Sequence, residues 1–497
     1  MKKKLLLNTI TSLLLQVVVV VSGFILPRIR LTYLGSDVNG LIQSVTQFLS
    51  VISLMELGVG QVIQSSLYKP LAEHDVNKIS TIITAGGKFF RRIAYMMFGY
   101  VFLLICIFPL LTKESFSWIY IATLIAAMCI SSFAQYYFGI IDGILLSADQ
   151  RGYIHYTTQM IAIILNTTVS GFLLVWGAPI QLVMLASSLI HLMRPFAIRL
   201  YIRKRYVINR KMAYTEDPLP QKWHGMTQHF SAYIIYGTDT IVLTLFSSLG
   251  AVSIYSVYNM VTNGIHTLYR SATAGLHAMF GELWAKQDTA RLNRVFGYME
   301  TGLHFSTVFL FSCTGILILP FIRVYTNGIT DVNYHQPLFA VLLVIAHALQ
   351  CLRTIYNIPI LAGGHYKKTQ SCHIIAAGLN LAISIVTVFF WGLVGIAIGT
   401  IIAIGFQVVW MAIYDSKSLI RWPILKFIKQ MCVDAVTVLL IVGATWWIKL
   451  KELTYLSWLI MALQVAGIAL AITLLMALIF YGKFVAALFR RFIKKHS

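Results

Sequence analysis

About fourteen apolar runs, each long enough to cross a bilayer, take up nearly the whole chain, and Lys and Arg crowd into alternate connections between them. A hydrocarbon layer about 30 Å thick needs roughly 20 apolar residues per helix. The runs lie near 8–32, 40–67, 89–111, 116–146, 155–176, 179–202, 227–248, 252–279, 299–323, 336–362, 372–391, 394–414, 427–448 and 456–481. A soluble fold of 497 residues needs a mostly polar and charged surface. With 58% hydrophobic and 11% charged residues and a mean hydropathy of +0.78, this chain cannot build one. The expected fold class is all-α, a polytopic membrane protein.

The basic residues set the expected orientation. Lys2 to Lys4, Lys69 to Arg92, Arg151, Arg199 to Lys222, Lys286 to Arg294, Lys367 and Lys368, Lys417 to Lys429, and Lys483 to Lys495 fall on one side. They hold about 30 of the 39 Lys and Arg, and the positive-inside rule then puts both termini in the cytoplasm. The net charge of +22 is explained by that topology and by an anionic inner leaflet. Nucleic-acid binding would need a basic domain outside the membrane, and the chain has none.

Other classes are excluded in turn. The apolar run after Met1-Lys2-Lys3-Lys4 exceeds a signal-peptide core, so an uncleaved first helix is expected. Cys106, Cys129, Cys313, Cys351, Cys372 and Cys432 stand singly and read as packing residues, not as a disulfide or metal framework. The longest polar connection, 203–225, is too short to be a catalytic domain, and the chain is read as a non-enzyme. Gly86-Gly87-Lys88-Phe89 lacks the first glycine and the Ser or Thr of a nucleotide cradle.

A weak duplication runs through the chain at an offset of 215 residues. Leu34-Gly35 pairs with Leu249-Gly250, Trp176-Gly177 with Trp391-Gly392, and the stretch 143–166 with 358–380. The offset spans six helices, an even number, so both copies enter the membrane from the same side, as in parallel-repeat transporters. The expected organisation is an N-lobe over 1–202, a cytoplasmic linker over 203–225, a C-lobe over 226–416, and two further helices with a basic tail over 417–497. Two-lobed bundles of this kind work by rocking around a central cavity.

Ionisable groups at bilayer depth are expensive, so each is a functional candidate. Arg28 and Arg30 follow Pro27, Glu56 lies in the second span, and Asp142, Arg194, Asp239, Arg270 and Arg353 lie in the fourth, sixth, seventh, eighth and tenth. Glu300 and His304 share a face of the ninth. Snorkelling ends or structural ion pairs account for Arg28, Arg30, Arg194, Glu300 and His304 as well as function does. Glu56, Asp239, Arg270 and Arg353 read as cavity residues. The planar arginine fork holds phosphate bidentately and keeps its proton when desolvated, which points to an anionic, diphosphate-bearing cargo. Tyr255, Tyr258 and Tyr269 are candidates for stacking on sugar rings.

The stretch 24–75, reading FILPRIRLTYLGSDVNGLIQSVTQFLSVISLMELGVGQVIQSSLYKPLAEHD, carries a recognisable pattern. Pro27 and basic residues close the first helix, followed by Tyr33-Leu34-Gly35, Asn39-Gly40, an acidic residue before Gly58-Val59-Gly60, and Lys69-Pro70-Leu71-Ala72. This resembles the polysaccharide-transporter branch, the oligosaccharide-lipid flippases, of the multidrug/oligosaccharidyl-lipid/polysaccharide exporter superfamily. The resemblance implies a flippase that moves undecaprenyl-diphosphate-linked oligosaccharide units across the bacterial cytoplasmic membrane for surface polysaccharide assembly. It implies Arg28 or Arg30 and Arg270 as cavity residues; with Arg353 from the charges at depth, these are the expected substrate-binding residues, and Glu56, Asp142 and Asp239 are the expected coupling or ion-pair residues. The implied partners are the lipid-linked oligosaccharide, membrane lipids, a polysaccharide polymerase and glycosyltransferases, with no nucleic acid and a monomeric chain. No cofactor or metal is expected beyond a coupling ion, H⁺ or Na⁺. A cation-coupled multidrug antiporter and a peptidoglycan lipid-precursor flippase share the architecture and are the alternatives.

Overall fold

The apolar runs fold as helices, and no strand occurs among the described residues. The computed structural model describes residues 2–56, 58–111, 116–210, 212, 226–420 and 422–496. Most of the linker expected over 203–225 lies outside the described residues, as do the side chains of the basic tail past Gly482.

The elements run α1 (Lys2–Ser50), a 3-10 turn (Val51–Glu56), α2 (Val59–Glu73), α3 (Val76–Leu111), α4 (Trp118–Ala134), a π turn (Gln135–Gly139) and α5 (Ile140–Ala148). Then follow α6 (Gly152–Val175), α7 (Ile180–Arg205), α8 (Met226–Phe246), α9 (Leu249–Ala285) and α10 (Thr289–Tyr325). The chain continues through α11 (Pro337–Ala362), α12 (Tyr366–Trp391), α13 (Leu393–Tyr414), a second π turn (Asp415–Leu419), α14 (Ile424–Thr445) and α15 (Tyr455–His496). Eleven helical stretches among the described residues are long and apolar enough to cross a membrane. The first of these covers 51 residues and is two spans, divided where Gly35 takes φ 79°. With α8 and the more polar α9, the fourteen expected spans each have a helix.

Two features depart from the sequence reading. The second span is broken by the 3-10 turn and by Gly58 at φ 78°, and the fourth contains the π turn. Several helices also start earlier than their apolar cores. Asp75 Oδ1 accepts from Lys78 N at 3.0 Å, and Asp288 Oδ1 accepts from Arg291 N at 3.0 Å. These caps satisfy orphan N–H groups and fix the starts of α3 and α10, whereas hydropathy registers only the part inside the hydrocarbon.

The turns repeat at nearly the offset seen in the sequence. His74 and Gln287, 213 residues apart, both have positive φ just before the two capping aspartates. Gln150 and Gly364, 214 apart, turn α5 into α6 and α11 into α12. Gly177 and Gly392, 215 apart, end α6 and α12 at φ 79° and 52°. Glycine adopts that region without a Cβ penalty, which explains the Trp-Gly pairs. Trp176 and Trp391 are exposed at those helix ends, where indole rings suit a membrane interface. Leu34-Gly35 and Leu249-Gly250 both stand where a span opens, at the kink of α1 and at the start of α9, but only Gly35 has a positive φ.

The chain divides into two compact units, residues 1–233 with 243–253, and residues 234–242 with 254–497. In the first, Leu41, Val45, Ile63, Phe90, Phe108 and Leu145 belong to one apolar core. There Asn39 Nδ2 donates to Ser253 Oγ at 2.8 Å, and a Cβ on Gly40 would overlap the Leu249 carbonyl. The second unit packs Phe296, Tyr356, Ile404 and Met411 in its main core. Many large apolar side chains on the outside, including Phe98, Phe102 and Leu110, remain exposed, as a lipid-facing surface requires.

Candidate functional site

The buried charges of the first unit are tied to one another. Asp142 on α5 is fully buried and accepts from Arg210 Nη2 at 2.6 Å. The strap that carries Arg210 is fastened further: Ser80 Oγ accepts from Asn209 N at 3.1 Å, and Thr84 Oγ1 donates to the Asn209 carbonyl at 3.2 Å. Arg194 Nη2 lies 2.8 Å from His155 Nε2. Asp142 and Arg194 are thus partnered inside this unit. Glu56 ends the 3-10 turn, half-buried, and is hydrogen-bonded by Tyr136 of the first π turn. A helix break and a π turn meeting at a carboxylate form an irregularity of the kind found at functional sites, and neither shows in the hydropathy. Arg28 and Arg30 are both half-buried on α1, but positions two apart on an α-helix differ by about 200°. The two guanidinium groups therefore serve different faces.

The second unit brings Arg270 and Arg353 to a common neighbour. Arg270 stands four residues after His266 on α9, hence on the same face, and both it and Arg353 of α11 act electrostatically on His266. The His266 and His347 rings are 6.3 Å apart, and His373 on α12 also feels Arg353. The Arg353 guanidinium sits 5.7 Å from the centroid of the Tyr236 ring. All three imidazoles are buried, Arg353 is half-buried and Arg270 is exposed. Arg353 Nε, His347 Nδ1 and His373 Nε2 are buried with no hydrogen-bond partner among the described residues. Unsatisfied buried donors are rare and costly, so a cluster of them beside two arginines is suited to an anion. The histidines were missed in the sequence because they fall singly, on three helices.

Asp239 on α8 is a separate place. It is 5% exposed, accepts from Tyr255 Oη at 2.9 Å and from Thr400 Oγ1 at 3.4 Å. Thr400 in turn accepts from Asn380 Nδ2 at 3.2 Å. Asp239 Oδ1 has no partner and no basic group pairs with this carboxylate among the described residues. A buried carboxylate held by neutral donors is completed by a proton or a small cation.

The tyrosines expected to stack on sugars do otherwise. Tyr255, Tyr258 and Tyr269 are all buried. Tyr255 serves Asp239, and Tyr258 Oη donates to the Tyr334 carbonyl at 2.7 Å. They are core residues, and Tyr255 and Tyr258 satisfy their hydroxyls inside the bundle.

No family model and no curated protein matches the sequence. Solved structures do match in fold. The chain resembles a structure described as the lipid II flippase MurJ in an inward closed conformation, at TM-score 0.73 and 15% identity, over 97% of this chain and 100% of that one. It also resembles an inward-facing multidrug resistance MATE family transporter of the MOP superfamily, at TM-score 0.60 and 12% identity, over 82% and 94%. A MATE structure in a bent conformation matches at TM-score 0.54 and 13% identity, over 84% and 95%. The chain is therefore a multi-pass membrane protein with the fold of MurJ and the MATE transporters.

Proposed function

We propose that this protein is a flippase for lipid-linked oligosaccharide carried on a diphosphate, in the bacterial cytoplasmic membrane, with both termini cytoplasmic. The observation that carries the reading is the second-unit cluster of Arg270, Arg353 and three buried histidines, in which Arg353 Nε, His347 Nδ1 and His373 Nε2 are unpartnered among the described residues. Arg353 and Arg270 grip the diphosphate, and the site opens alternately to the two sides while the prenyl tail stays in lipid. Arg28 and Arg30, on different faces of α1, are proposed as further substrate-binding residues. Asp239 takes the coupling ion, H⁺ or Na⁺, for which the unpartnered Oδ1 and the hydroxyls of Tyr255 and Thr400 are suitable hard oxygens. The oligosaccharide unit is supplied by glycosyltransferases and consumed by a polymerase.

Reconstituted vesicles holding a fluorescent undecaprenyl-diphosphate oligosaccharide test this directly. Arg353→Ala and Arg270→Ala are expected to lose flipping at normal protein levels, and full flipping in both would end the assignment. A cation-coupled multidrug antiporter is the second reading, favoured by the unpaired carboxylate of Asp239. It requires drug efflux that Asp239→Asn abolishes and that the two arginine variants leave intact. A peptidoglycan-precursor flippase would instead prefer lipid II in the same vesicles.

A further inference from the structure

Within the second unit, α10, α11 and α14 meet over a buried chain of hydrogen bonds that the proposed transport does not use. Glu300 and His304 stand one turn apart on α10, and with Tyr356, Gln430 and Asp434 they are buried. His304 Nδ1 lies 2.5 Å from Asp434 Oδ2 on α14, and its Nε2 is 2.9 Å from Tyr356 Oη on α11. Tyr356 Oη is in turn 2.9 Å from Glu300 Oε1. Both ends of the chain are closed by donors that bring their own hydrogens. Trp422 Nε1 donates to Glu300 Oε2 at 2.7 Å, and Gln430 Nε2 donates to Asp434 Oδ1 at 2.8 Å.

The inner part of the chain is one hydrogen short. Its three links, Asp434 to His304, His304 to Tyr356 and Tyr356 to Glu300, need one hydrogen each. The tyrosine hydroxyl supplies one, a neutral imidazole supplies one, and two carboxylates supply none. The third hydrogen is an added proton. With Tyr356 donating to Glu300, that proton is the second hydrogen of the imidazole; placed on Glu300 or Asp434 instead, it leaves the count the same. Without it, one link becomes a contact between two acceptors and the buried carboxylates gain a further uncompensated charge, both of which are costly. The other titratable groups facing the chain are Lys426, whose Nζ lies 3.7 Å from the centroid of the Trp422 ring, Asp415 of the second π turn, and Tyr481 of α15, with Lys429 5.2 Å from its ring centroid. None of these closes one of the three links.

We propose that Asp434, His304, Tyr356 and Glu300 bind one proton in common, at a site separate from Asp239, and that this proton fastens α14 to α10 and α11. The site fills from water through Glu300, whose neighbours Trp422 and Lys426 reach the surface. A proton arriving on Glu300 Oε1 passes to Tyr356 Oη while the tyrosine hydrogen passes to His304 Nε2. Two O–H bonds break as one O–H and one N–H bond form, and release runs in reverse. Losing the proton opens the chain and loosens α14, with α15 packed on it. The two helices outside the repeat are thereby tied to it by a proton.

Hydrogen–deuterium exchange of the α14 amides in the full chain tests this. A proton held only in the fastened state stabilises that state at low pH and is lost as pH rises, so opening of α14 becomes easier by up to about ten-fold per pH unit. After correction for intrinsic exchange, protection of α14 is expected to fall with that slope within the range from about pH 5 to about pH 9. Glu300→Gln is expected to flatten the profile, because its amide can donate to Tyr356 Oη and accept from Trp422 Nε1, filling every link with no added proton. Asp239→Asn is expected to keep the slope of the parent, which separates this site from the proposed coupling ion. A flat profile in the parent, an unchanged slope in Glu300→Gln, or a lost slope in Asp239→Asn overturns the proposal. Should Glu300→Gln fail to fold, Tyr356→Phe cuts the chain between Glu300 and His304 and carries the same test, with an unchanged slope again the refuting result.

Discussion

The two six-helix stretches share their turns and differ in how they treat buried charge. In the first, acids meet bases: Asp142 with Arg210 at 2.6 Å, and Asp149 with Arg151 at 2.6 Å and Lys4 at 3.4 Å. In the second, Asp239 and Glu300 are held by neutral hydroxyl and indole donors, while Arg353, His347 and His373 each keep a buried nitrogen without a partner among the described residues. Stretches with similarly spaced turns therefore carry unequal chemistry. The ion pairs Asp142–Arg210 and Asp149–Arg151 have no counterpart at Asp239 of the second stretch, whose carboxylate meets only hydroxyls among the described residues.

The largest expected effect lies where that inequality is greatest. Truncating one partner of a desolvated charge pair costs about 2–5 kcal/mol, so Arg353→Ala should cut cargo flipping by roughly 30-fold or more, measured in vesicles. Arg270 is exposed, and its truncation should cost less. Arg353→Lys should recover only part of the loss, because an ammonium cannot replace the bidentate fork. Equal losses for Arg270→Ala and Arg353→Ala would show that burial does not rank the two.

One substitution made in both stretches sharpens the contrast. Asp142→Asn strands Arg210, and breaking a buried pair costs about 3–5 kcal/mol. The low end is expected here, since Arg210 is 28% exposed and can reach water. Thermal unfolding in detergent should show the drop, with flipping per folded molecule unchanged. Asp239→Asn removes a charge that has no basic partner, so it should cost little stability and should abolish response to a proton or sodium gradient. The comparison fails if both variants unfold alike.

How much of this was legible depends on what hydropathy and charge can register. Fourteen helices, their order and the repeat follow from runs of apolar residues and from Trp-Gly pairs that the positive φ of Gly177 and Gly392 explains. The 3-10 turn at 51–56 and the π turn at 135–139 were hidden because both are largely apolar stretches whose hydrogen bonding, not composition, is irregular. Asp239 and Arg353 stood out as charges at depth. His266, His347, His373 and Asp415 did not, since a lone histidine or a helix-end aspartate has meaning only beside neighbours from other helices.

The loop knot around Asp149 gives a pH-dependent test of the first stretch. Partial burial alone would raise this carboxyl, but the Tyr206 hydroxyl bond with Lys4 and Arg151 outweighs it and holds the group below the usual carboxylate range. A depressed carboxylate contributes stability above its unfolded value, and that contribution is lost as pH falls through the folded one. Asp149→Asn should therefore cost about 1–3 kcal/mol near neutrality, with the gap to the parent closing below about pH 4. A gap that is independent of pH would mean that Asp149 acts through shape alone.

The smallest effect tests the shared turns themselves. A Cβ at Gly177 or Gly392 would meet nothing within 4 Å, so alanine there is opposed only by the positive φ, at about 1 kcal/mol for Gly177 and more for Gly392, whose ψ of −122° suits glycine alone. Both variants should lower the unfolding midpoint, Gly392→Ala by more than Gly177→Ala, and leave flipping intact. Equal losses would mean that the positive φ alone, and not ψ, sets what alanine costs at these turns.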